Sequence, residues 1–351
     1  MNVVAYEALP MRVVFGPGSL ARLGEETDRI GLRRVLVLST PGQRGLAERV
    51  AAVLGDRAVG MHDRARRHVP VPTVDEAAKT ATEVAADGCV AAGGGSTIGL
   101  AKAVALRVGL PYVALPTTYA GSEMTPVWGL TENARKRTGR DRAVLPAAVV
   151  YDPDLTSTVP AAVAAVSGLN AIAHAMEALY APDGSPVVAA MAERGIRDLA
   201  SALPTLAAAE ADDAARASAL EGAWLCGACL GATTMGLHHK LCHVLGGMLD
   251  LPHAETHAVV LPYVAAFNLP AAPDADAAVR RALDGPDAAD GLRDLAARLG
   301  APLSLAELGV ERSQLDLVVE ETLSAPYANP RPIRHEDLVR LLEEMRSGCW
   351  R

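Results

Sequence analysis

Basic residues are in deficit. The 351 residues carry 33 Lys and Arg against 41 Asp and Glu, a formal net charge of −8, with no block of like charges long enough to form a tail. That removes the electrostatic footprint of a nucleic-acid partner and leaves small anionic substrates, held by local sites, as the charged ligands to consider. Cysteine is scarce as well. Cys89, Cys226, Cys229, Cys242 and Cys349 form no disulfide framework in a chain of this length, which points to a reducing cytoplasm. Cys226 and Cys229 make a CxxC, but no second one follows and Trp224, Leu225 and Leu230 flank it, so the pair reads as small core residues. The opening MNVVAYEALPMRVVF lacks the basic region, apolar core and cleavage site of a secretory signal. The longest run without Asp, Glu, Lys or Arg, Leu155–Met176, has the length of a membrane span but contains Pro160, Ser167, Asn170 and His174. It reads as a loop entering a buried helix, and no membrane partner is expected. No period of 20 to 50 residues recurs, which excludes a repeat architecture.

What is present is a chain 50% apolar and 21% charged, which excludes disorder and permits two domains. MRVVFGPGS (11–19), RRVLVLST (33–40), GCVAAGGGS, LPYVALPTT and LPAAVVYDP repeat one theme, an apolar run followed by a breaker. With helical spacing between them, they predict a helix-covered, largely parallel sheet over residues 1–156. After Asp152-Pro153-Asp154 the composition turns to Ala, Leu and Glu, and patterns such as AAMAERGIRDLASALPTLAAA predict an all-helical domain over 157–351.

Gly93-Gly94-Gly95-Ser96-Thr97 sits where a strand meets a helix, so its N–H groups and the helix N-terminus can cradle a pyrophosphate. The spacing is not GxGxxG, and no acidic residue ends a strand some 20 residues later, so the usual dinucleotide fingerprint is absent. Thr117 and Thr118 follow the next strand, at the end where open α/β sheets bind ligands. Six of the nine histidines, His174, His238, His239, His243, His253 and His257, fall within one stretch of 84 residues. Asn170 and His174, like His239 and His243, are four apart and share a helical face, and His253 can return to the same pocket after Gly246-Gly247. His238 and His257 read as ordinary core or surface residues. The cluster suits iron, zinc or nickel in kind, yet it lacks a carboxylate to offset a dication; without metal the same imidazoles can donate protons to an anionic substrate.

Taken jointly, FGPGS (15–19), GGGSTIGLAK (93–102), LPTTYAGSE (115–123), DPDLT (152–156), SGLNAIAHAMEALYAP (167–182), HKLCHVLGG (239–247) and LPHAETHAVVLPYVAAFN (251–268) resemble the iron-containing alcohol dehydrogenase superfamily and, within it, the maleylacetate reductases. The resemblance implies a Rossmann-like NAD(P)-binding α/β domain, a helical catalytic domain and an active site in the cleft they form. It also implies a homodimer. The aspartate and three histidines that hold metal in relatives fall on Asn170, His174, His239 and His253, with His243 at a position linked to proton transfer. Asn170, and Gly99 where metal-dependent relatives carry aspartate, both agree with the reductase subgroup, so no metal requirement is expected.

The second strand ends at Leu38-Ser39-Thr40-Pro41 without a carboxylate, so Thr40 joins the cofactor contacts, and NADPH is expected to be tolerated beside NADH. Arg44 either assists or is a solvated surface residue. The activity implied is reduction of the C=C bond of maleylacetate to 3-oxoadipate in aromatic-compound degradation. His243 is the expected principal proton donor, supported by His174 and His253, with Tyr327 in SAPYANPRP closing over the substrate. Asn170, His239, Lys240 and Arg331 are the expected substrate contacts, the last two as alternative partners for its carboxylates. The rival reading is a metal-dependent alcohol or aldehyde dehydrogenase of the same superfamily.

Overall fold

The structure, a computed structural model, describes residues 6, 8–9, 11–132, 135–208 and 212–350. Residue 1 of the first expected domain, residue 351 of the second, and the final alanine of the pattern ending at 209 lie outside the described residues. Two compact units divide between Val159 and Pro160.

In the first unit, strands and helices alternate as β1 (Arg12–Phe15), α1 (Leu23–Arg29), β2 (Val35–Leu38), α2 (Arg44–Leu54), β3 (Ala58–His62), α3 (Val71–Glu83), β4 (Gly88–Gly93), α4 (Gly95–Val108) and β5 (Tyr112–Pro116). A hairpin of β6 (Val127–Glu132) and β7 (Arg135–Arg140) follows, then β8 (Ala148–Tyr151). Six strands form one sheet in the order β1-β8-β5-β4-β2-β3, every pair parallel. The strands VLVL, GCVAAG, YVALP and AVVY are buried at every position. Helices cover a parallel sheet on both faces, so both sides of each strand must be apolar, which is why these segments read as unbroken runs. On one face Leu23, Val35, Val37, Val50, Val90, Val113, Leu115 and Val150 pack into a common core.

The hairpin has no counterpart in the expected alternation. Its second strand, RKRTGR, is too charged to register as a strand by apolar pattern, and its pairing with β6 is what defines it.

The second unit is helical: α5 (Ala161–Leu179), α6 (Pro186–Ala207), α7 (Asp213–Ala232), α8 (Leu237–Leu249), α9 (His253–Asn268), α10 (Pro273–Leu283), α11 (Ala288–Arg298), α12 (Leu315–Leu323) and α13 (His335–Ser347). By length and composition α5 can cross a membrane, but it is the central helix of this unit, with fifteen of its 19 residues buried. Small residues let the helices approach closely. A Cβ on Gly222 would lie 2.9 Å from the carbonyl oxygen of Gly195, so α6 and α7 touch backbone to backbone. Cys226 and Cys229 are buried along the same seam, and burial pushes both thiols up, as expected of core residues.

Candidate active site

In the α/β unit, α2 carries the chain from β2 outward to β3 while α4 carries it from β4 to β5 on the other side. β2 and β4 are neighbours, so the direction of winding reverses at their carboxyl ends, where open sheets place a ligand crevice. Thr40 and Gly93–Thr97 both lie at that point. Gly93 adopts φ +156°, and a Cβ there would meet Thr97 Oγ1 at 2.4 Å and Gln43 Oε1 at 2.6 Å. A Cβ on Gly94 would meet Thr118 Cγ2 at 2.8 Å, whereas Gly95 is exposed with open space around it. The cradle therefore needs glycine at its first two positions and presents the third, with the unpaired first N–H groups of α4, to a ligand.

Sequence reasoning missed Gln43, whose Nε2 donates to Thr117 Oγ1 at 2.7 Å and ties the end of β2 to the end of β5. It also missed Lys102. This buried side chain on α4 donates to the carbonyl oxygens of Ser122 (2.7 Å), Thr125 (2.8 Å) and Val127 (2.7 Å), fixing the loop that follows Thr117 and Thr118. Arg44 is exposed and paired with Glu48 at 3.0 Å and Asp63 at 2.9 Å. Gly99 has a packing reason. A Cβ there would lie 2.7 Å from Val69 Cγ2, and Val69 is itself held at φ +47°.

In the helical unit all six histidines converge. Ring centroids are 4.9 Å apart for His174–His239, 5.3 Å for His238–His239, 4.8 Å for His238–His257, 4.4 Å for His253–His257 and 6.3 Å for His239–His243. His174, His238, His239 and His257 are buried; His243 and His253 are exposed. His238 and His257, read as ordinary core or surface residues, are fully buried. They lie inside the cluster, hydrogen-bonded to each other at 2.9 Å, and His238 Nδ1 and His257 Nε2 are buried without a partner. Burial holds both imidazoles well below the usual histidine range, so they stay neutral.

Glu177 organises the other pair. Its fully buried carboxylate accepts from the backbone N–H of Gly236 (2.9 Å), His238 (2.8 Å) and His239 (3.3 Å), capping the N-terminus of α8 with negative charge. It also accepts from His239 Nδ1 at 2.7 Å. A carboxylate only accepts, so His239 carries its proton on Nδ1, and in the neutral ring Nε2 is a lone pair. That nitrogen lies 2.7 Å from His174 Nδ1, which must then be the donor. One carboxylate thus sets the tautomers of two imidazoles in series. Nothing in the spacing of Glu177 marks this role; it sits three residues after His174 in HAMEALY and looks like an ordinary helix residue.

The loop of Tyr327 is tied down. Asn329 and Asn268 exchange amide hydrogen bonds at 2.7 and 2.8 Å, and Asn329 also donates to the Arg331 carbonyl oxygen at 2.7 Å. Tyr327 is half-buried with its hydroxyl unpartnered, and burial, together with the charge of Glu177, pushes that hydroxyl up to about 12. A cavity of about 260 Å³ reaches Glu177 past Tyr180, Thr234 and Asn329. The two candidate carboxylate partners differ. Arg331 stacks 4.0 Å over Phe267 and pairs with Asp337 at 3.6 Å, whereas Lys240, half-buried beside His239, has no ion pair among the described residues. Asn170 Oδ1, on the same face of α5 as His174, is buried without a partner.

Family models describing the iron-containing alcohol dehydrogenase and the C-terminal region of that family match residues 10–153 and 164–346. The chain belongs to the iron-containing alcohol dehydrogenase family. It is 54% identical to the maleylacetate reductase of Sphingobium indicum, over 98% of this chain and 97% of that one. The crystal structure of a maleylacetate reductase from Agrobacterium tumefaciens superposes with a TM-score of 0.95 at 50% identity, covering 99% of both chains. An iron-containing alcohol dehydrogenase from Corynebacterium glutamicum superposes with a TM-score of 0.94 at 43% identity, covering 99% of this chain and 98% of that one.

Membership of this family corrects one expectation. The changes at Asn170 and Gly99 suggested that no metal is required, but the family is iron-containing. The family's ligand positions also fit an ion in donor type. Asn170 offers a buried, unpartnered amide oxygen, and His174, His239 and His253 offer imidazoles of the kind that suit iron or zinc. His239 further has the carboxylate partner that ligating histidines have on their second nitrogen.

Proposed function

We propose that the chain uses NADH, and accepts NADPH, to reduce the C=C bond of maleylacetate to 3-oxoadipate, acting as a cytoplasmic homodimer in the degradation of aromatic compounds. The observation that carries this reading is similarity at about half identity, along nearly the whole chain, to proteins that are maleylacetate reductases. The proton-carrying chain of Glu177, His239 and His174 supports it, and five free cysteines accord with a reducing compartment.

Hydride delivered to the carbon β to the ketone pushes charge onto the ketone oxygen, and the enolate then takes a proton on carbon. The enzyme must therefore stabilise an oxyanion and deliver one proton. His243 and His253 are the exposed imidazoles of the cluster and suit contact with substrate. His174 and His239 are a buried reserve, each carrying one proton, joined to each other and to Glu177 by two 2.7 Å contacts along which protons can shift toward or away from the carboxylate. Lys240 offers a positive charge to one substrate carboxylate, while Arg331 is already engaged by Phe267 and Asp337. Asn170, His174, His239 and His253 are the residues that would hold an ion, which would supply Lewis acidity toward the ketone oxygen and would take the His239 Nε2 lone pair in place of His174. The glycine cradle at 93–95, with Thr97, Thr117 and Thr118 around it, holds the cofactor pyrophosphate.

Maleylacetate-dependent oxidation of NADH by the purified protein tests the reading. Turnover with maleylacetate well above that with simple aldehydes or ketones is expected. Reduction of aldehydes without reduction of maleylacetate would move the chain to the alcohol dehydrogenase branch.

A further inference from the structure

His238 and Cys242 are four apart on α8 and share a face, and His257 reaches them from α9. All three are buried. His238 Nε2 lies 2.9 Å from His257 Nδ1 and 3.6 Å from Cys242 Sγ. Around a tetrahedral zinc, with Zn–N of about 2.0–2.1 Å and Zn–S of about 2.3 Å, neighbouring nitrogen and sulfur ligands stand roughly 3.5 Å apart. The His238–Cys242 spacing therefore already suits a coordination sphere, the two nitrogens need to part by a few tenths of an ångström, and all three donors lie within 4.8 Å of one another.

Charge is the second argument. Asn170, His174, His239 and His253 contain no anion, so a dication held there keeps its full charge among neutral ligands. Cys242 supplies what that set lacks, since a thiol that binds metal does so as thiolate and releases its proton to solvent. Sulfur also changes the selection, because soft thiolate favours zinc over iron where oxygen and nitrogen alone do not.

We propose that His238, Cys242 and His257 form a second, thiolate-containing cation site in the helical unit, distinct from the family's ligand positions and selective for a soft divalent ion of the zinc class. Binding replaces the Cys242 S–H bond by a metal–sulfur bond and frees one proton, with no change of oxidation state.

Cobalt(II) reports thiolate ligation directly, through a sulfur-to-cobalt charge-transfer band in the near ultraviolet. The full chain is titrated with Co²⁺ in a Cys349→Ser background, because Cys349 is exposed and would bind metal adventitiously. One equivalent should bring up the band. Cys242→Ser should abolish it and weaken binding by about 100-fold or more. Equal binding by both proteins without a charge-transfer band overturns the proposal. Should Cys242→Ser fail to fold, zinc-edge X-ray absorption on the unaltered chain decides. One sulfur at about 2.3 Å with nitrogens at about 2.0–2.1 Å is expected. A shell of nitrogen and oxygen alone, two sulfurs from Cys226 and Cys229, or no uptake of zinc overturns it.

Discussion

A buried carboxylate that accepts three backbone N–H groups and one imidazole N–H does two things at once. Glu177 ends α8 at its positive pole, and it decides which nitrogen of His239 carries the proton. Glu177→Gln tests both roles. Oε2 accepts from His239 Nδ1 and from the backbone N–H of Gly236 and His239, so an NH₂ in its place makes Nδ1 the acceptor, moves the proton to Nε2, reverses the donor in the His174 contact and leaves only the His238 N–H capped. The expected result is a fall in kcat of about 10² to 10⁴ with an unchanged NADH KM and retained circular dichroism. Loss of NADH affinity in the same proportion would show a structural effect only. His243→Ala, at an exposed imidazole, should likewise lower kcat far more than NADH affinity, and near-normal turnover would remove His243 from the mechanism.

The histidines were legible in the sequence because imidazole is an uncommon residue type and its i, i+4 spacing announces a shared face. Glu177, Gln43 and Lys102 were not. Their importance comes from contacts 59 to 62, 74 and 20 to 25 residues away in sequence, which no local pattern encodes.

At the scale of elements, the strands of the parallel sheet were legible because burial on both faces leaves unbroken apolar runs, and the helical second half because its composition shifts at Asp152. The β6–β7 hairpin was not, since six residues of RKRTGR satisfy a ladder without any apolar face. The strand-to-helix turn at Gly93–Gly95 was legible as a turn, though not which glycines are obligatory. Gly94 is, because a Cβ would strike Thr118 at 2.8 Å; Gly95 is not, having open space around it. Gly94→Ala should raise the NADH Kd by about tenfold, near 1.4 kcal/mol, measured by fluorescence titration. Gly95→Ala should change it less, and equal effects would mean that backbone freedom rather than the Thr118 contact governs the turn.

The edge strand β1 gives a prediction in pH. Arg12 holds Glu26 of α1 through two hydrogen bonds at 2.6 and 2.9 Å, with Arg29 at 3.4 Å, and this keeps the Glu26 carboxyl below its ordinary value of 4.5. A depressed carboxylate contributes stability above that ordinary value and loses it as pH falls through the depressed one. Arg12→Met removes the larger partner, so stability near neutrality should fall, the loss should shrink as pH drops through the depressed value, and the acid-unfolding midpoint should move to higher pH. An unchanged midpoint would mean that Arg29 suffices.

For the whole molecule, the glycine turn proposed to hold the cofactor and its supporting contacts lie in the unit spanning Leu9–Val159, and the histidine cluster in the other unit. Each has its own buried core, so cofactor binding should be felt unevenly. A ligand present at 100 times its Kd adds about 2.7 kcal/mol to whatever must unfold for it to be released. The amides of β2, β4 and β5, which border the cradle, should therefore gain up to about that much protection from hydrogen exchange when NADH is added. Those of α6 and α7, which pack on each other through Gly195 and Gly222, should change little. Exchange measured by mass spectrometry with and without NADH reads both sets in one experiment. An equal gain in the two units would mean that opening either one releases the cofactor and that the two unfold as one cooperative body, whatever the separateness of their cores.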